Sequence, residues 1–164
     1  MAQIPNPNLA LGYEVDSANP DILIDLAGQE SVEIEKQIEA EMYRFNDAHA
    51  GPNDGTRLVF AARDSGKQLI GGLVAYVYWN NLSVDLLWVD ERYRLRRIGR
   101  SLMIEAETEA RRRGLEGITL NTFSFAAPGF YKKLGFEEYA HLTGIPKGVT
   151  RHLFCKWLRT ATSS

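Results

Sequence analysis

The chain has 164 residues, 45% of them hydrophobic and 24% charged, which suits one globular domain with a substantial core and excludes disordered or fibrous classes. Nineteen Lys and Arg stand against twenty-one Asp and Glu, a formal net charge of -2, so there is no global attraction for nucleic acid or an anionic membrane. The single cysteine, Cys155, excludes an internal disulfide, and no Cys/His spacing suits a metal.

The N-terminal stretch lacks the basic start and apolar run of a signal peptide, and nowhere do about 18 apolar residues run together. A cytoplasmic protein of one domain, residues 1–164, is expected. Two prolines and two asparagines within Met1–Asn8 favour an irregular arm at 1–8. Leu9–Val15 reads as an edge strand, and Asp21–Ala27 as either a second extended piece or a short helix, since short apolar runs do not discriminate by period. Ile34, Ile38, Met42 and Phe45 then recur at helical spacing, predicting an amphipathic helix capped by Ser31 and closed before Gly51.

Thr56–Arg63 and Gln68–Trp79 are rich in Val, Leu and aromatics and flank the turn Asp64-Ser65-Gly66-Lys67, so they should pair antiparallel. Side-chain alternation puts Tyr76, Tyr78 and Asn80 on one face, and Val77 and Trp79 on the other. Asn80-Asn81 turns the chain into a third strand, Leu82–Val89. After a basic turn, Ile98, Leu102, Ala106 and Ala110 make an apolar helical stripe that Gly114 ends. Gly117–Thr122 reads as a core strand, parallel to Leu82–Val89 if the helix makes a right-handed crossover. Pro128 can open a short helix closed by Gly135. Phe136–Leu142 and Thr150–Leu158 make a last hairpin, followed by a polar tail at 159–164.

The chemistry concentrates in Leu86–Gly99. An apolar strand runs into a turn with five arginines between Arg92 and Arg100 and then into a helix N-terminus. Backbone N–H groups and guanidinium groups converging there suit an anion of several charges, such as a pyrophosphate. On charge pattern alone such a cluster is more often a solvated face; its place between strand and helix favours a ligand site.

Two motifs carry a resemblance. Val89, Asp90, Tyr93, Arg94, Ile98, Gly99 and Leu102 fit the pattern V-D-x-x-Y-R-G-x-G-x-G-x-x-L-L. Thr122, Phe123, Ser124, Phe125, Ala127, Pro128, Phe130, Tyr131, Lys133, Leu134, Gly135 and Phe136 fit T-F-S-F-Q-A-P-x-F-Y-x-K-L-G-F. In this order they resemble the GNAT superfamily of acetyl-CoA-dependent N-acetyltransferases over about Leu58–Leu158, most of a domain.

The resemblance implies a mixed, mostly antiparallel α/β sheet with helices on both faces and a V-shaped splay between its central strands, where acetyl-CoA lies. Pantetheine would bond to the backbone of Leu87 and Val89, and the N–H of Trp88 or Val89 would hold the oxyanion. The pyrophosphate would sit on the turn through Arg94, Leu95, Arg96, Arg97, Ile98, Gly99, Arg100 and Ser101, with Phe125, Pro128 and Lys133 completing the cofactor side. Tyr131 corresponds to the acid that protonates the leaving thiolate.

Ser83 stands where many members carry a glutamate. Asp85, two residues on, is read either as the base that takes the amine proton or as a structurally satisfied carboxylate. Tyr76, Tyr78 and Trp79, with Ser83, either line the acceptor pocket or pack the sheet.

Three departures stand out: Leu95 and Arg97 replace glycines, and Ala126 replaces glutamine. A side chain at those glycine positions must strain the loop or swing clear, and Arg97 can instead contact a phosphate directly. The reaction implied is direct acetyl transfer to a primary amine of a small molecule, with no metal and, at most, a second copy of the chain as protein partner. Rival readings are a non-catalytic acyl-CoA sensor of the same fold and a protein-amine acetyltransferase.

Overall fold

A computed structural model describes residues 24–53 and 55–158. The expected arm at 1–8, strand at 9–15 and tail at 159–164, with residues 21–23, lie outside them. Ile24–Ala27 has neither helical nor strand structure. The chain forms two compact units, Met1–Ala50 and Gly51–Ser164.

In the first unit α1 spans Ser31–Ala50. Ile34 N–H donates to the Glu30 carbonyl, 3.0 Å, so Glu30 occupies the cap position and Ser31 is already helical. Phe45 and His49, one turn apart, meet with ring centroids 4.2 Å apart and planes tilted by 31°.

The second unit is a six-stranded sheet in the order β1-β2-β3-β4-β6-β5. Its strands are β1 (Arg57–Arg63), β2 (Leu69–Tyr78), β3 (Asn81–Val89), β4 (Gly117–Phe123), β5 (Glu137–Thr143) and β6 (Thr150–Trp157). Every pairing is antiparallel except β3 with β4. The β1–β2 turn closes as its sequence implies: Lys67 N–H donates to Asp64 O, 2.9 Å, and Gln68 N–H to the Asp64 carboxylate, 3.0 Å. Between β3 and β4 runs α2 (Ile98–Arg112), the crossover that a parallel pair requires. A short α3 (Pro128–Lys132) follows β4.

One sheet face carries Leu73, Ala75 and Val77 from β2, Leu82 and Val84 from β3, Ile118 and Leu120 from β4 and Phe154 from β6, all buried. They form one core with Leu102, Met103, Ala106 and Ala110 of α2 and Tyr131 of α3. Full burial of Ala106 and Ala110 lets the helix approach the strands closely. Gly71 serves the same end: a Cβ there would lie 3.0 Å from the Trp88 carbonyl oxygen and 3.2 Å from Ile98 Cγ2.

Two irregularities position the site. β3 and β4 pair only over Asn81–Val84 against Gly117–Leu120. At the next residue the β2–β3 ladder slips: Ala75 faces Val84 while Val74 faces Leu86, so Asp85 is the extra residue of a β-bulge. Beyond it, among the described residues, β3 pairs only with β2, and residues 121–123 of β4 pair only with β6. The central strands therefore diverge and leave a V-shaped opening.

Candidate functional site

The opening is a cleft of about 1000 Å³ lined by Leu87, Trp88 and Val89 of β3, by Tyr93 to Leu95 and Arg97 to Arg100 of the turn and α2, and by Ala126, Ala127, Phe130, Tyr131, Lys133 and Leu134 around α3. Of the fourteen cofactor-side residues inferred from sequence, ten line it. Arg96, Ser101, Phe125 and Pro128 do not.

The turn is built from the strand outward. Asp90 N–H donates to Ile70 O, 2.9 Å, which fixes the end of β3. The Asp90 carboxylate accepts from the Arg92 backbone N–H, 2.9 Å, and from its guanidinium at 3.1 and 2.8 Å. These bonds hold the Asp90 carboxyl down at about 2. A single 3₁₀ turn, Glu91–Tyr93, follows.

Arg94 donates to Val89 O, 3.3 Å, and pairs with Glu91, 3.3 Å. The Arg96 guanidinium lies over the Tyr93 ring, 5.2 Å from its centroid. Three of the five arginines are thus engaged by neighbouring groups of the turn. Arg97 and Arg100, which line the cleft, have no carboxylate partner among the described residues.

Leu95 and Arg97 adopt φ of 63° and 64°. The loop keeps the left-handed conformation a glycine would supply, with the side chain displaced: Leu95 is fully exposed. Arg97 is the N-terminal cap residue of α2 and makes no side-chain cap bond. Ser101 N–H donates to Arg97 O, 2.9 Å. That bond removes Ser101 from the expected cradle and leaves the N–H groups of Ile98, Gly99 and Arg100 as the orphan donors of the first turn. Two guanidinium groups and a helix N-terminus on one side of a cleft can hold a polyanion.

The other wall starts from Ala127, also left-handed at φ 56°, which turns the chain from β4 into α3. Tyr131 packs edge-on against Phe130 and Phe136, centroids at 5.0 and 6.1 Å, and lies 5.9 Å from Phe154. It is 8% exposed. Burial pushes its phenol pKa up, so it is protonated at neutral pH and can donate.

Among the residues expected on the acceptor side, the bulge breaks the two-residue alternation of side chains. Ser83 opposite Tyr76 and Leu86 opposite Val74 occupy the face away from α2, and the unpaired residue between them is Asp85. Asp85 is exposed and its carboxylate is bonded to no other described side chain. Tyr76 and Tyr78 lie on the same face with ring centroids 6.5 Å apart.

Trp79 differs from expectation. β2 ends at Tyr78, and Trp79 turns at φ 47°, its indole N–H donating to Gly51 O, 2.9 Å, and its backbone N–H to Asn53, 3.0 Å. It anchors a loop at the end of the sheet remote from the splay and does not line the cleft. Its place in an apolar run read as strand continuation; the Asn80-Asn81 turn after it was the available signal. The lining residues missed as site residues, Tyr93, Ala126, Ala127, Phe130 and Leu134, all lie within the two motif segments.

Among the described residues no group of His, Cys, Asp and Glu could hold a metal, and no helix is long and apolar enough to cross a membrane.

The Acetyltransferase (GNAT) family model matches residues 22–136. The chain is 44% identical over 92 residues to Blasticidin-S acetyltransferase of Streptomyces morookaense, covering 56% of this chain and 68% of that protein. It superposes on the crystal structure of an acetyltransferase from Bacillus cereus with a TM-score of 0.74 and 30% identity, covering 84% of this chain and 98% of the other. A more distant chain of the same fold, an aminoglycoside 6′-N-acetyltransferase, was crystallised with coenzyme A (TM-score 0.60, 20% identity, 83% and 84% covered). A family match across the splayed strands, the basic turn and α3 covers the elements that build this cleft, and the chain belongs to the GNAT family of acetyltransferases.

Proposed function

We propose that this acetyltransferase moves an acetyl group from acetyl-CoA directly to a primary amine of a small molecule. The observation that carries the reading is the divergence of β3 from β4 after the Val84–Leu120 pair, with a basic helix N-terminus at one side and Tyr131 in the opposite wall. The similarity to an enzyme acting on blasticidin-S supports a small acceptor over a protein one.

The pyrophosphate rests on the N–H groups of Ile98, Gly99 and Arg100 and on the Arg97 and Arg100 guanidinium groups. Lys133, on the cleft wall, adds positive charge. Leu87 and Val89 offer backbone groups to the pantetheine amides. Holding the thioester beside the amine supplies most of the rate, because neither motif contributes an activated nucleophile for a covalent intermediate.

The amine nitrogen attacks the thioester carbonyl carbon, and the N–H of Val89, which points away from β2 while that of Trp88 faces Gly72, holds the oxyanion. Asp85 receives the amine proton, directly or through water. The C–S bond breaks and Tyr131 gives its proton to the departing thiolate. Tyr76 and Ser83 border the acceptor side.

The test is CoA-thiol release with Tyr131→Phe. Phenylalanine keeps the aromatic packing and removes the hydroxyl, and with it the proton. Turnover should fall about 10²-fold or more, with acetyl-CoA affinity by calorimetry unchanged; an unchanged rate sinks the assignment. Acetyl-CoA binding in wild type should weaken with salt, as phosphate on arginine requires.

A further inference from the structure

Phe123 and Phe125 stack nearly parallel beside the cleft, centroids 5.3 Å apart and planes at 11°. Phe125 is 74% exposed, and yet its turn is pinned on both sides. Ser124 N–H donates to Thr150 O, 2.8 Å, Thr150 N–H donates to the Ser124 hydroxyl, 3.3 Å, and Ala126 N–H donates to Phe123 O, 2.8 Å. The ring is therefore held out by a fixed backbone, with little conformational entropy left to lose when something covers it.

Next to it, Ala126 and Ala127 line the cleft without a polar side-chain atom. Arg151 pairs with Phe123 across the β4–β6 ladder, so both stand on the face away from α2. Arg151 Nε donates to Asn121 Oδ1, 2.9 Å, which orients the guanidinium, and its two Nη groups have no partner among the described residues. A stacked aromatic surface beside an oriented guanidinium with open donors recognises a flat ring that carries a hydrogen-bond acceptor.

Building on the amine-transfer reading above, we infer that the acceptor is an amine borne on a planar, unsaturated ring with a carbonyl or carboxylate oxygen. The ring stacks on Phe125 and its oxygen accepts from Arg151 Nη. Phe125 is then a specificity-determining residue of the acceptor side, in place of the cofactor contact that the resemblance implies.

Three primary amines test this: 4-(aminomethyl)benzamide, its saturated counterpart trans-4-(aminomethyl)cyclohexanecarboxamide, and benzylamine, which lacks the acceptor oxygen. Thiol release gives kcat/KM for each with wild type, Phe125→Leu and Arg151→Met. Wild type should favour the benzamide over the saturated amide by about fivefold, the worth of one aromatic stack, and Phe125→Leu should remove that preference. Intrinsic reactivity of the two amines cancels in the comparison of variants.

Wild type should also favour the benzamide over benzylamine by about tenfold, as a charged donor allows, and Arg151→Met should level the two. No preference in wild type, or a preference that survives Phe125→Leu, overturns the proposal. So does a Phe125→Leu variant whose defect is a raised acetyl-CoA Kd, which would return Phe125 to the cofactor side. If acetyl-CoA binds and none of the amines is acetylated, the transfer reading fails with this panel. The ring subsite is then read by calorimetry on the CoA-saturated protein, where equal or absent binding of the benzamide and its saturated counterpart overturns it.

Discussion

Leu95→Gly separates a loop that stores backbone strain from one that does not. Leu95 sits at φ 63°, where an L-residue costs about 1–2 kcal/mol relative to its preferred regions, and at 103% relative exposure its side chain buries nothing. Glycine relieves the strain and gives back about 0.5–1 kcal/mol through its freer unfolded chain, so the net effect is a gain of up to about 1 kcal/mol. For a chain of this size that raises Tm by about 2–4 °C. Leu95→Ala retains a Cβ and thus the strain, and should match wild type within about 0.5 kcal/mol. Urea unfolding followed by circular dichroism measures both. If Leu95→Gly is less stable than Leu95→Ala, as glycine is in ordinary helix or strand positions, the left-handed assignment is wrong. Arg97→Gly, at φ 64°, should gain similar stability while weakening acetyl-CoA binding about tenfold and flattening its salt dependence, because a charged donor to phosphate is lost. Strain and affinity then move in opposite directions within one residue. A variant that gains stability and keeps its affinity would remove Arg97 from the anion site.

Gly71→Ala should cost about 1–3 kcal/mol, the usual penalty of overpacking, because its Cβ would lie 3.0 Å from the Trp88 carbonyl oxygen; acetyl-CoA binding should fall with it as β3 is displaced, and stability equal to wild type would refute the close approach. Below neutral pH, the Glu138 carboxyl is held at about 2 by hydrogen bonds from Lys132 and His152. A depressed carboxylate stabilises the fold above its unfolded value and that contribution drains away as pH falls from the ordinary carboxylate range toward 2. Glu138→Gln should therefore flatten the stability profile across that window in acid unfolding, and an unaltered slope would show that the network contributes nothing.

Much of the second unit was legible because its signals are local. The Asp64–Lys67 turn, the apolar strand runs and the stripe Ile98, Leu102, Ala106, Ala110 each state their own structure, and the strand ends agree with the observed ones to within a few residues. What alternation alone could not convey is a break in itself. The bulge at Asp85 depends on how β2 and β3 pair, a fact that belongs to neither strand, and counting by two across it put Asp85 on the face that Leu86 takes. Trp79 was misplaced for a related reason: its partners, Gly51 and Asn53, come from a loop that contributes nothing to strand periodicity.

The five arginines make the same point in charge. Sequence places them in one turn, and only the fold divides them into three engaged by Asp90, Glu91, Val89 and Tyr93 and two, Arg97 and Arg100, that line the cleft without a carboxylate partner among the described residues. Leu95, Arg97 and Ala127, three of the five described non-glycine residues with positive φ, all line that same cleft. Left-handed backbone is tolerated where the surrounding fold over-determines it. Here the anchoring is visible in the fixed Asp90, the first turn of α2 and the pinned segment 123–126. Leu95 and Arg97, where the resembled pattern has glycine, therefore present side chains to the ligand on a backbone path that glycine would also follow, and they bear on affinity and selectivity more than on whether the cleft forms.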